Sequence, residues 1–174
     1  MEKHKLDLMN ERLGTCVLTA QILKTAFPND LMKIKTDTIL PCLVSNKRKL
    51  GLKKKEGMGS YYAFYNNETH RIAIKPKILI ELPPMYRTKV TNQTDRIKLY
   101  GKFALVELMC HELAHHRTKG HAKGFKQKYY KFLKYMSELI IDPYYNGNNS
   151  LLLDGQEDVK QARVELERLK DLIV

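Results

Sequence analysis

The sequence HELAH at residues 111–115, followed after five residues by His121, decides the fold of this chain. On a helix, residues four positions apart project from one face, so His111 and His115 can bind the same cation. Two such imidazoles beside a carboxylate form the H-E-x-x-H zinc pattern, in which Glu112 acts as base rather than ligand. A catalytic zinc site needs three protein ligands and leaves one position open. The stretch therefore predicts one catalytic Zn²⁺, with His121 as its natural third ligand.

The third ligand has a rival further along the chain. Glu138 lies at a distance that suits zincins with a downstream glutamate, whereas the position of His121 matches the longer metzincin pattern. Gly120, directly before His121, is where the helix would have to end and turn back toward the metal. Met136 could form a Met-turn, but its place on an amphipathic stripe favours core packing. His121 is the preferred ligand.

Composition predicts one domain with a tail, in a nuclear or cytoplasmic protein. With 174 residues and 43% hydrophobic content, the chain can bury one substantial core. No apolar run approaches the roughly 18 residues of a membrane span, and the N-terminus does not resemble a signal peptide. We therefore expect neither membrane insertion nor secretion. Three widely spaced cysteines, Cys16, Cys42 and Cys110, argue against a disulfide framework and favour reduced, mostly buried thiols.

Basic residues are concentrated in two segments that contain no acid. The net charge is +12, and the two segments run from Ser45 to Lys55 and from His116 to Ser137. A single charged run is usually a solvated surface, but the second run begins at the zinc motif. If both lie beside one cleft, they would bind nucleic-acid phosphates without reading sequence. The candidate DNA-binding residues are Lys47, Arg48, Lys49, Lys53, Lys54, Lys55, Arg117, Lys119, Lys123 and Lys126.

The spacing of apolar residues predicts an α+β order of elements. We expect an N-terminal helix, a short strand, a hairpin, the zinc helix starting near Leu99, an amphipathic helix with a lysine-rich face and a charged C-terminal helix. The corresponding ranges are 6–27, 38–44, 61–65 with 71–75, from 99 to the turn at Gly120, 125–140 and 156–172. The predicted fold is a small sheet packed against the H-E-x-x-H helix. Residues 1–145 would form the domain, and residues 146–174 a linker and tail helix.

The zinc motif and its surroundings resemble the WLM metallopeptidase family. The likeness lies in Phe103–His115, the following Gly120-His121 and Phe125. Upstream, Lys49–Leu52 and a hairpin that ends in Arg71–Ile74 are similar to the family's Leu-Gly-Leu segment and the strand before its active-site helix. The resemblance implies a SprT-like zincin fold and cleavage of proteins trapped on DNA, stimulated by DNA, especially single-stranded DNA.

The resemblance also implies roles for individual residues. Glu112 matches the catalytic acid and base. The ligand positions match His111, His115 and His121. The family usually has asparagine after the second ligand and proline before the third, where this chain has His116 and Gly120. The C-terminal Leu151–Asp154 with Glu157 and Asp158 resembles a weak segment for binding ubiquitin-like modifiers, although leucines that cap the core are the commoner arrangement.

These patterns predict a zinc-dependent endopeptidase that cleaves DNA-bound or DNA-crosslinked proteins in DNA repair. Glu112 would take a proton from the attacking water and return it to the leaving amine. An oxyanion stabiliser is also expected, and His116, Arg117 or one of the tyrosines could supply it. The strand Arg71–Lys75 is the candidate for pairing with an extended substrate. Two alternatives remain open: a zinc peptidase acting on free proteins or ubiquitin-like conjugates without DNA, and a non-catalytic, zinc-stabilised DNA-binding module.

Overall fold

A long N-terminal helix, a small sheet and a buried central helix dominate the part of the chain that the structure describes. This computed structural model describes residues 2–31, 33–34, 39–41, 62–66, 68–82, 85–86, 98–118, 120, 123–142 and 155–170. Their elements are α1 (Lys3–Ala26), α2 (Pro28–Leu31), β1 (Ile39–Pro41), β2 (Ala63–Asn66), β3 (Arg71–Ile74), α3 (Pro76–Glu81), β4 (Met85–Tyr86), β5 (Lys98–Leu99), α4 (Gly101–Ala114), α5 (Lys123–Ile141) and α6 (Gln156–Leu169). This arrangement of helices and small sheets agrees with the predicted α+β class.

The predicted hairpin is confirmed as β2 and β3. The two strands are antiparallel, with Tyr65 opposite Ile72. Asn66 stabilises the turn because its Oδ1 accepts the backbone N–H groups of Glu68 and Thr69 at 2.9 and 3.2 Å. His70 then adopts a left-handed φ of 54°, which brings the chain back into the sheet.

The strand β3 occupies the middle of a three-stranded sheet. It pairs with β1 in parallel on one side and with β2 on the other, in the order β1-β3-β2. The prediction that Arg71–Lys75 pairs with an extended substrate is therefore wrong, because both edges of β3 already carry ladder hydrogen bonds. Among the described strands of this sheet, β2 lies at an edge.

The helix α4 is the centre of the core. Every residue from Lys102 to Ala114 is buried, and the helix packs against α1, α5, α6 and β2. This explains why apolar residues occur on every side of α4 rather than along one stripe, since a helix enclosed on all sides has no solvated face. Cys110 on α4 and Cys16 on α1 are buried free thiols, as expected, and burial raises the pKa of Cys16 to about 12.

The N-terminus of α4 is capped by side chains from α6. Asp158 Oδ1 accepts the backbone N–H of Phe103 at 3.0 Å. Gln161 bonds both backbone groups of Tyr100, accepting the N–H at 2.9 Å and donating to the carbonyl at 3.0 Å. Because the first N–H groups of a helix have no intrahelical partner, Asp158 satisfies a buried N–H at the start of α4, while Gln161 bonds the exposed backbone of Tyr100.

Two details of the helices differ from expectation. The helix that carries the H-E-x-x-H motif ends at Ala114, six residues before Gly120, where its end was predicted. A short helix, α3, forms at Pro76–Glu81, where no helix was predicted, with Pro76 in its first turn. Arg12 of α1 donates to the carbonyl oxygens of Leu79 and Ile80 at 2.9 and 2.5 Å and so satisfies the end of α3. Within the described residues, no helix is long and apolar enough to cross a membrane.

Candidate metal centre

The imidazoles of His111 and His115 meet at the C-terminal end of α4. Their Nε2 atoms are 3.3 Å apart, and the rings lie edge to face with centroids 5.0 Å apart. His111 is buried in the last turn of α4, whereas His115 is the half-buried C-cap residue. The i, i+4 spacing in the sequence thus brings the two nitrogens to one point.

The separation of these nitrogens fits a shared Zn²⁺. Two imidazole nitrogens bound to one tetrahedral zinc at 2.0–2.1 Å are about 3.3 Å apart. The pair His111 and His115 shows that separation. The donor set also suits the ion, because imidazole is a preferred zinc ligand.

Aromatic side chains from α5 enclose the two histidines. The ring of Phe125 lies 4.4 Å from that of His115 and 5.0 Å from that of His111, measured between centroids. Tyr129, one turn later, contacts the ring of His111 edge to face at 5.8 Å. The apolar rings restrict the rotamers of both imidazoles and exclude water from one side of the pair.

Glu112 lies beside the histidine pair in a buried position. Its Oε1 is 4.0 Å from His111 Nε2. Burial and the nearby Glu107 raise the pKa of the Glu112 carboxyl to about 8, although the backbone N–H of Tyr65 donates to it and opposes the rise. The Glu112 carboxyl therefore lies next to the histidine pair in the protein interior and does not belong to a solvated surface.

A second buried carboxylate, Glu107, lies one turn earlier on α4. Its Oε1 accepts a hydrogen bond from the hydroxyl of Tyr129, and only 3% of the residue is exposed. Two buried carboxyl groups, those of Glu107 and Glu112, thus lie on the helix that carries the imidazoles.

The expected third ligand, His121, lies outside the described residues. Among those that are described, no three histidine, cysteine, aspartate or glutamate side chains are grouped to hold a metal. The rival Glu138 is far from the pair: it lies about 20 Å along α5 from Phe125. There it pairs with Lys134 at 3.6 Å and borders a surface cavity beside Leu166 and Leu169 of α6.

A cluster of buried Tyr65 and His116 with half-buried His70 lies beside the end of α4, and sequence reasoning did not find it. Tyr65 Oη lies 2.6 Å from His116 Nδ1 and 3.0 Å from His70 Nδ1. Burial raises the pKa of Tyr65 to about 12. Burial, together with His70, Arg117, Lys128 and Lys33, lowers the pKa of His116 to about 4. The sequence signalled only His116, which directly follows His115. Its partners Tyr65 and His70 lie in the hairpin, far away in the sequence.

The turn after α4 has a left-handed backbone at Gly120, where the WLM family usually has proline. Gly120 has a φ of +67°, and a Cβ built on it meets nothing within 4 Å. Proline is fixed at a φ near −65°, so the family's proline could not occupy this position in this conformation. Arg117 also has a left-handed φ of 63°. His116 and Gly120, where the chain departs from the family pattern, thus both have a structural role in the turn.

Three of the candidate DNA-binding residues fall within the described part of the chain. Arg117 and Lys123 are exposed and Lys126 is half-buried, all near the end of α4 or the start of α5. The other seven, Lys47, Arg48, Lys49, Lys53, Lys54, Lys55 and Lys119, lie outside it.

Several other lysines of the α5 face have partners within the protein. Lys128 donates to the carbonyl of His116 at 2.8 Å, and burial lowers the pKa of its ammonium group. Lys131 pairs with Asp30 at 2.5 Å and lies over the ring of Phe27. The part of this face that is available to a polyanion is therefore smaller than the sequence indicates.

The segment that resembles a modifier-binding motif is only partly described. Leu151–Asp154 lies outside the described residues. Glu157 is exposed, whereas Asp158 is 2% exposed and caps α4. Asp158 therefore contributes to packing within the domain.

Comparisons with protein-family models, curated proteins and solved structures found no match to this chain. The assignment of a function therefore depends on the geometry of the residues at the end of α4.

Proposed function

We propose that this chain is a zinc-dependent endopeptidase of the zincin type that cleaves proteins bound or crosslinked to DNA and is stimulated by DNA. The observation that carries the proposal is the 3.3 Å separation of His111 and His115 Nε2, with Glu112 Oε1 4.0 Å from the first of them. In the proposal, His121 completes the ligand set. The centre of α4 supplies the rigid support that such a site needs.

A zinc ion held by His111, His115 and His121 would act as a Lewis acid on the scissile carbonyl and would lower the pKa of water, so that a hydroxide nucleophile is available at neutral pH. Glu112 takes the proton from the attacking water and delivers it to the leaving amine. A buried carboxyl with a pKa near neutrality suits this role, because it can both accept and return a proton at physiological pH. The backbone N–H of Tyr65 orients the carboxyl.

The substrate chain would pair with β2 rather than β3. Tyr65 in β2 faces Ile72 of β3 on one side and reaches Glu112 through its backbone N–H on the other. The outer edge of β2 therefore points toward the site. An extended peptide that adds to this edge is recognised mainly through its backbone, which gives low sequence selectivity.

The DNA dependence rests on the basic residues that follow the metal motif. Arg117, Lys123 and Lys126 project from the turn and the first turn of α5, beside Phe125, which covers the histidine pair. A phosphate backbone bound there would lie next to the cleft, so that a protein attached to the DNA is delivered to Glu112. Affinity for DNA should then fall steeply with salt.

The test compares cleavage of a histone and of a model DNA–protein crosslink, with and without single-stranded DNA, by zinc-loaded protein. Glu112→Gln should lower the cleavage rate by about 10²- to 10⁴-fold and leave zinc bound. Glu138→Gln is the matched control, because this exposed carboxylate lies far from the site, and it should leave the rate unchanged.

The outcomes separate the alternatives. Cleavage that requires DNA and is lost in Glu112→Gln supports the proposal. Cleavage that is indifferent to DNA indicates a peptidase for free proteins or conjugates. DNA binding without cleavage indicates a zinc-stabilised binding module.

A further inference from the structure

Tyr65 connects the β2–β3 hairpin to the end of the zinc helix through two separate groups. Its hydroxyl lies within hydrogen-bonding distance of both His116 and His70, and its backbone N–H donates to Glu112. The residue is 5% exposed. One buried residue of the sheet thus contacts His116 through its side chain and Glu112 through its backbone.

The Tyr65 hydroxyl couples the tautomers of the two imidazoles, those of His70 and His116. A phenol has one hydrogen to donate and lone pairs to accept, and it meets the Nδ1 atom of each ring. When both rings are neutral, it donates to one Nδ1 and accepts from the other. His70 and His116 must therefore adopt opposite tautomers, which fixes the orientation of each ring.

His116 is also fixed through its backbone. Its carbonyl oxygen accepts from Lys128 Nζ at 2.8 Å, and its N–H donates to the carbonyl of Leu113 at 3.1 Å. Thr118 continues the turn, since its N–H donates to the His115 carbonyl at 3.0 Å and its hydroxyl donates to that of Ala114 at 2.6 Å. The last carbonyls of α4, which have no intrahelical partner, are therefore satisfied by this turn.

We propose that Tyr65 is a positioning residue for the metal centre: its bonds to His116 and Glu112 hold the end of α4 in the geometry in which His115 meets His111. This inference rests on the proposed metal site. His115 is the C-cap residue of α4, so its ring direction depends on the turn that follows it. Without the Tyr65 hydroxyl, the ring of His116 loses a hydrogen-bond partner, and the His115 imidazole gains conformational freedom. Metal binding then has to restrict that freedom, which lowers the affinity for zinc.

The test measures zinc affinity by competition with a chelator. Residues that orient metal ligands typically contribute 10- to 100-fold to affinity, and Tyr65→Phe should lose an amount in that range. Two variants of His116 separate positioning from general damage. An asparagine side chain places a polar atom where Nδ1 was, whereas glutamine places one near Nε2. His116→Asn should therefore bind zinc nearly as tightly as wild type, and His116→Gln should resemble Tyr65→Phe.

Tyr135→Phe is the matched control, because it removes a phenolic hydroxyl from a half-buried side chain that packs on Phe27, away from the site. It should not alter zinc affinity. Co²⁺ substitution adds a second measurement: the visible absorption of the bound ion should change in Tyr65→Phe and be restored in His116→Asn. Circular dichroism of the zinc-free variants establishes that each is folded at the temperature used.

Unchanged zinc affinity in Tyr65→Phe would overturn the inference, as would equal losses in the asparagine and glutamine variants. Absence of zinc binding by the wild-type protein would overturn both this inference and the proposed function. If the affinities follow the expected order but no protein is cleaved, the positioning role stands and the peptidase assignment fails.

Discussion

Replacing Asp158 by alanine tests whether α6 supports α4, the helix that carries His111. Asp158 lies in α6 but bonds to the backbone N–H of Phe103 in the first turn of α4, at 3.0 Å. The carboxylate is 2% exposed. Its removal leaves a buried N–H group at the start of α4 without this acceptor.

The magnitude follows from two contributions. A hydrogen bond to a charged group contributes about 1.5–3 kcal/mol, and a negative charge at a helix N-terminus adds about 0.3–1 kcal/mol. We therefore expect Asp158→Ala to lower the free energy of unfolding by about 2–4 kcal/mol. In a chain of this length that corresponds to a fall in Tm of roughly 4–16 °C. Asp158→Asn keeps a side-chain oxygen that can accept and should lose about half as much.

The assay is urea and thermal unfolding of the zinc-free protein, followed by circular dichroism. Glu157→Ala is the matched control, since Glu157 is also an acid in the first turn of α6 but is exposed. It corrects for the effect of a lost acid on α6 itself. If Asp158→Ala is no less stable than Glu157→Ala, the capping of α4 by α6 contributes nothing, and the reasoning is wrong.

Two further predictions concern the turn and the hairpin. Gly120→Ala should lower the free energy of unfolding by about 1 kcal/mol, because the φ of +67° is unfavourable for alanine although its Cβ meets nothing within 4 Å. Gly120→Pro cannot adopt this φ, so it should lower the free energy of unfolding further and weaken zinc binding. Equal stability of wild type and both variants in urea would contradict this prediction. Between pH 10 and 12 the unfolded chain loses the Tyr65 proton while the folded protein keeps it, since the pKa of Tyr65 is raised to about 12. Stability should therefore fall as pH rises through this window, and the fall should be shallower in Tyr65→Phe than in Tyr135→Phe when unfolding is measured at each pH.

Sequence reasoning succeeded where the determining interactions are local. The i, i+4 relation of His111 and His115 predicts their convergence, and a polar turn between β-prone runs predicts the hairpin. The short helix at Pro76–Glu81 was missed although a proline at its first position is a recognised start signal. Its run of apolar residues is as typical of a strand as of a helix.

The remaining features depend on residues that are distant in the sequence. Tyr65 and His116 are separated by 51 positions, and Phe103 and Asp158 by 55. The spacing of residues in the sequence cannot predict such pairs, because they form only when the hairpin and α6 pack against α4. The central position of β3 was likewise not predictable, since the parallel partner β1 joins it from a separate part of the chain.

The enclosure of α4 on every side has a consequence for how the proposed site would acquire an ion. Most of the helix cannot open without exposing the core, so its amides should exchange with solvent only through global unfolding. The two imidazoles are thus set in place before any ion arrives. Small zinc-folded domains, in contrast, fold only as the ion binds. If the proposed site binds zinc, the binding energy would not be consumed in folding α4 and would remain available to hold the ion.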